Sequence, residues 1–160
     1  MANRILIAGE TGNHCLEMSY YKAFLDAGHK VKLYDTKNAV KKYARLGQIG
    51  YKIHRFFPVE AWIRKANKDF TEAVKEFKPD LVIAFTGAEI LPGSFAYIKT
   101  ILPLKLALYW ADPLPNMTRY IHQSLSLTDL VASYSKSSLD IFNQMGAKAV
   151  RMIDLNYMFG

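Results

Sequence analysis

Short apolar runs alternate with stretches of helical spacing along the whole chain, and that alternation constrains the fold more than any other feature. The runs are "RILIAG" (4–9), "HKVKLYD" (29–35), "KPDLVIAFTG" (78–87), "LKLALYW" (104–110), "DLVASYS" (129–135) and "AKAVRMIDL" (147–155). Most are continuous and hydrophobic, as parallel strands covered on both faces should be. Between them, "LEMSYYKAFLDAG" places Leu16, Tyr20, Ala23, Phe24 and Ala27 on one helical face and ends on Gly28 as a C-cap. "EAWIRKANKDFTEAVKEF" repeats the pattern with Trp62, Ile63, Ala66, Phe70, Ala73, Val74 and Phe77. "PGSFAYIKTIL" and "KSSLDIFNQMG" read as shorter helices, and "NMTRYIHQSLSLT" as helix or loop. The order predicts a single α/β domain over 1–160: a doubly wound, mostly parallel, Rossmann-like sheet with helices on both faces.

In such sheets ligands sit outside the carboxyl ends of the strands, near the switch in strand order. Four strand ends carry polar or glycine residues there: Gly9, Glu10, Thr11, Gly12, Asn13 and His14; Thr86, Gly87 and Glu89; Trp110 with Asp112; and Ser135. A structural edge also favours turn residues, so each has a plainer reading. Glu10, Glu89 or Asp112, with His14, could serve as a general base, or could cap a helix or close a turn. Ser135 is well placed as an N-cap. Trp110 could stack on a sugar or fill core, and Pro113 would fix the chain direction after Asp112.

The first of these loops, with Asp35 ending the second strand, copies the outline of a dinucleotide-binding unit. Cys15 stands where the third glycine belongs, which speaks against NAD(P) binding. Nucleophile elbow, Walker loop and metal-ligand spacing are all missing from the sequence, so hydrolase, kinase and metalloenzyme readings fall away.

The net charge of +7 is uneven. Nine Lys/Arg (37, 41, 42, 45, 52, 55, 64, 65, 68) stand against Glu60 alone between Lys37 and Lys68, leaving twelve basic and thirteen acidic residues elsewhere. This segment reads as irregular or interrupted-helical, with Gly47 and Gly50 as breaks. Aromatic and aliphatic residues interleave its cations, notably Lys41, Lys42, Arg45, Lys52 and Arg55. Such a mixture suits a solvated face or an anionic membrane surface; nucleic acid is not expected, because no fold signature for it accompanies the charge. With 51% hydrophobic residues the chain can build a core, yet no run reaches membrane-span length and the start does not read as a signal peptide. The single Cys15 suits a reducing cytoplasm.

The stretches "RILIAGE…SYYKAFLDAGHKVKLYD", "FKPDLVIAFTGAEI", "LALYWADP" and "TDLVASYSKSSLDIFNQMGAKAVRMID" occur in an order that resembles the N-terminal half of a GT-B glycosyltransferase, and is similar to the spore-maturation (CgeB-like) group of that superfamily. The resemblance runs from Arg4 to about Asp154. It implies an acceptor-binding domain whose nucleotide-sugar donor binds mainly a second domain. The donor half is not among these residues, so a further domain or partner chain is expected for efficient transfer, with no cofactor held by this chain. By the same resemblance Asp112 falls where the family places an acid beside the acceptor, and "GETGN" forms the loop facing the donor. The expected location is cytoplasmic, with a peripheral position at the inner face of the membrane if the basic segment meets lipid.

Overall fold

The computed structural model describes residues 2–12, 15–45, 47–85 and 89–153, with Arg55 and Arg119 described by backbone alone. All the expected strands form: β1 (Arg4–Gly9), β2 (Lys30–Asp35), β3 (Leu81–Phe85), β4 (Lys105–Trp110), β5 (Leu130–Ser133) and β6 (Val150–Met152). They make one sheet in the order β2-β1-β3-β4-β5-β6, and every neighbouring pair is parallel. The chain leaves β1 toward β2, then returns past β1 to β3 and moves steadily outward. The switch point therefore lies between β1 and β3.

That path decides which face each helix covers. Parallel crossovers are right-handed, so the connection running from β1 to β2 packs on the opposite face from all those running the other way. Accordingly α1 (Leu16–Asp26) lays Leu16, Tyr20, Tyr21 and Phe24 against Ile5, Ile7, Ile83, Phe85, Ala107 and Tyr109. On the other face α4 (Glu60–Phe77), α5 (Pro92–Ile101), α6 (Arg119–Ser124) and α7 (Lys136–Gln144) bury Phe70, Val74, Phe95, Ile98, Ile121 and Phe142 against Leu6, Val82, Leu106, Leu108 and Trp110. Both faces carry helices as expected, but unequally. The face under α1 keeps an apolar depression of about 530 Å³ over β4 and β5, lined among others by Phe24, Ile83, Ala107 and Ala132. Burial first, and then the neighbouring Tyr109, push the Tyr20 phenol there up to about 12.

The basic segment is interrupted-helical, one of the two forms expected, with a single departure at Gly50. It forms two helices, α2 (Thr36–Tyr43) and α3 (Gly47–Phe56), and Gly50 lies inside the second instead of breaking it. A Cβ on Gly50 would come within 1.8 Å of the Arg45 carbonyl oxygen. That glycine is a site of close backbone approach, where any side chain would push α3 off its neighbour. Tyr43 donates to Asp69 at 2.7 Å and the Lys42 ammonium meets the same carboxylate at 3.0 Å, tying α2 to α4.

Candidate functional site

A polar crevice of about 230 Å³ opens at the switch point, beyond the carboxyl ends of β1, β2 and β3, lined by Glu10, Thr36, Lys37, Tyr51, His54, Pro58 and Glu89. Glu10 and Glu89 belong to the loops named from the sequence. Lys37, Tyr51 and His54 come from α2 and α3, which fold over the strand ends as one wall.

His54 is the residue that sequence reasoning missed. Its ring is 1% exposed, stacked on Tyr51 with 6.0 Å between centroids and tilted against Trp62 at 5.6 Å. Nδ1 accepts the Val59 N–H at 2.9 Å, which leaves the ring proton on Nε2, 3.4 Å from Glu89 Oε2. The imidazole thereby holds one oxygen of a carboxylate whose side chain is 39% exposed. Glu89 lines the crevice, and its other oxygen makes no hydrogen bond among the described residues.

Asn67, buried in α4, fixes the same loop from below. Its Nδ2 donates to the carbonyls of Ile63 at 2.8 Å and Glu89 at 2.7 Å, and its Oδ1 accepts from Leu91 N at 2.7 Å and Ser94 Oγ at 2.9 Å. Two donors and two lone pairs are all used, so this buried amide is fully satisfied. Glu89 is thus positioned through its backbone by Asn67 and through its side chain by His54.

The loop after β1 is built around a carboxylate of its own. Glu17, in the first turn of α1, is buried and accepts the Glu10 N–H at 3.0 Å. A Cβ on Gly9 would sit 2.5 Å from Glu17 Oε1, so the glycine is what lets that carboxylate in. Asp35, the acid that would hold a ribose in a dinucleotide site, accepts instead from Thr11 Oγ1 and caps α2 through Asn38 N at 2.7 Å. Glu10 faces Lys37 across 3.1 Å. A phosphate at the start of α1 would meet a negative group already bonded to the loop amide.

The other strand ends spend their polar groups differently. Trp110 is fully buried against Phe142, with centroids 5.5 Å apart, so of its two readings the packing realises core filling and not a cleft wall. Its Nε1 has no acceptor among the described residues. Ser135 caps α7, accepting from Ser138 N at 3.4 Å. Asp112 stands half-buried in the bend after β4, one strand from the β3 loop, and makes no hydrogen bond or ion pair among the described residues. Asn13, His14, Thr86 and Gly87 lie outside the described residues, as does the side chain of Arg55.

Of the cations named for an anionic surface, Lys42 is paired with Asp69. Lys41 lies over the Tyr51 ring at 5.3 Å, and Arg45 and Lys52 make no ion pair among the described residues. No cluster of His, Cys, Asp and Glu among the described residues is placed to hold a metal ion, and no described helix is long and apolar enough to cross a membrane. No protein-family model matches the chain, and no curated protein matches it.

Proposed function

We propose that this chain is the acceptor-binding domain of a nucleotide-sugar-dependent glycosyltransferase, working with a donor-binding second domain or partner chain. The observation that carries the reading is the Glu89–His54 pair in a polar crevice at the switch point. A carboxylate held by one oxygen in the lining of an open crevice is suited to accept the proton of an acceptor hydroxyl. As the hydroxyl oxygen attacks the anomeric carbon of the donor, its proton passes to Glu89 and the nucleoside diphosphate leaves with the bonding electrons. Resemblance alone gives that task to Asp112. The His54 contact and the place of Glu89 in the crevice lining support giving it to Glu89, with Asp112, at the adjacent strand end, orienting the acceptor.

The crevice is below the ~300–1,000 Å³ of most small-molecule and cofactor sites, which favours a sugar or similar hydroxyl compound over a dinucleotide. Glu17 beneath the first loop, and the commitment of Asp35 to Thr11 and Asn38, argue in the same direction. The reading places the domain in the cytoplasm, peripheral to the inner face of a membrane. Calorimetry with NAD(P)(H) beside UDP-, GDP- and dTDP-sugars tests it: weak or absent binding of every nucleotide is expected of an acceptor-side half. Tight binding of a dinucleotide would replace it with an oxidoreductase domain.

A further inference from the structure

The two faces of α3 do different things. Gly50 and His54 point inward, with Tyr51 half-buried beside them at the crevice wall. On the outer face Ile49 is 66%, Ile53 51% and Phe56 81% exposed, and Phe57, just past the helix end, is 75% exposed. These positions recur at i, i+4, i+7 and i+8, a continuous stripe that nothing among the described residues covers. Four large apolar side chains at one place far exceed the scattered exposure normal for a monomer.

The charges around the stripe name what it meets. Lys52 lies beside it on α3 and Arg45 just precedes that helix, neither with a carboxylate partner among the described residues, whereas Lys41 lies over the Tyr51 ring at the crevice wall. The one acid of the segment, Glu60, is bonded to Arg64 at 3.1 Å. Apolar groups in line with unpaired cations are the pattern of a helix lying in the interface of an anionic bilayer. A second copy of the chain would set the same cations against each other, and a nucleic acid would have no use for Ile49 and Ile53.

We infer that the outer face of α3 docks onto an anionic phospholipid surface, with Ile49, Ile53, Phe56 and Phe57 entering the interface and Arg45 and Lys52 meeting headgroups. Docking by this helix puts the crevice wall formed by Tyr51 and His54 at the membrane, within reach of an acceptor presented there. The inference rests on the peripheral location proposed above and not on sugar transfer, so its test needs neither donor nor acceptor.

The chain is sedimented with vesicles of two parts phosphatidylcholine to one part phosphatidylglycerol, and with pure phosphatidylcholine. Wild type should bind the first, release with added salt, and bind the second at least tenfold more weakly. I53D/F56D, whose exposed side chains hold no core together, should keep the wild-type circular dichroism and melting temperature and lose vesicle binding. R45Q/K52Q should weaken binding by about fivefold per cation removed and flatten its salt dependence. Wild-type binding by I53D/F56D, equal binding to neutral vesicles, or no binding at all overturns the inference. So does retention by nucleic acid that the cation variants abolish while vesicle binding persists. None of these results touches the Glu89–His54 assignment.

Discussion

At the amino edge of the sheet, Asp80 accepts the Arg4 N–H at 2.7 Å, and Asp129 accepts the Leu106 N–H at 2.9 Å and the Lys99 ammonium at 2.8 Å. At the carboxyl edge, Glu89 gives one oxygen to a buried histidine and lines an open crevice, while Asp112 has no partner among the described residues. Both edges place acids beside strands. The first set closes backbone that would otherwise be unpaired, so its carboxylates are already spent; the second holds a carboxylate in place without using it up. An acid at a strand terminus becomes a candidate site only when another element, here α3, folds over it and fixes its direction.

Substitutions that preserve shape should separate the two edges. The largest effect is expected from Glu89→Gln, which keeps the acceptor for His54 Nε2–H but removes the base. In a complex or fusion with a donor-binding domain, kcat/KM should fall by about 10²–10⁴-fold with the melting temperature nearly unchanged. Wild-type turnover would show that the crevice carboxylate takes no part in chemistry.

Asp129→Asn should do the reverse, costing about 1.5–3 kcal/mol of stability at neutral pH with no effect on crevice ligands. Burial pushes the Asp129 carboxyl up, but the Lys99 and Leu106 bonds outweigh it and hold it below the usual carboxylate value. A carboxyl depressed in the folded state stabilises above its unfolded value of roughly 3.9. That contribution is lost as pH falls through the lower folded value. The gap between wild type and Asp129→Asn in urea titrations should therefore be full at neutral pH and shrink in acid; a gap that widens there would contradict the linkage.

The smallest change belongs to the same edge. Lys78 ends α4 with φ of 48°, a left-handed conformation that suits glycine. Lys78→Gly should stabilise by about 0.5–1 kcal/mol, read as a raised urea midpoint. Destabilisation would mean that the lysine side chain does more there than end a helix.

The alternation of apolar runs and helical patterns made the strands and the helices readable in advance, and the loops it put at the carboxyl edge supply part of a crevice there. Strand order is not written locally, so the one-helix covering of the α1 face emerged only once β1→β2 was seen to run against the other crossovers. Gly50 read as a break because an isolated glycine in a helical pattern is more often a stop than a point of close approach. His54 was invisible for a similar reason. It sits among cations 35 residues from Glu89, and only the folding of α3 across the strand ends brings the two together. Trp110 and Ser135 sat at strand ends as expected, yet one is core and the other a cap. Position at the carboxyl edge was legible; which side chains turn toward the crevice was not.

The most direct test of the central claim is an amide-resolved NMR titration of this chain with a panel of mono- and oligosaccharides, with NAD(P)(H) run beside them. The account predicts that a saccharide shifts the amides of Glu10, Lys37, Tyr51, His54 and Glu89 together, and that these shifts weaken in Glu89→Gln. Dinucleotide binding centred on residues 9–12 and Asp35, with the crevice amides unmoved by every sugar, would contradict it.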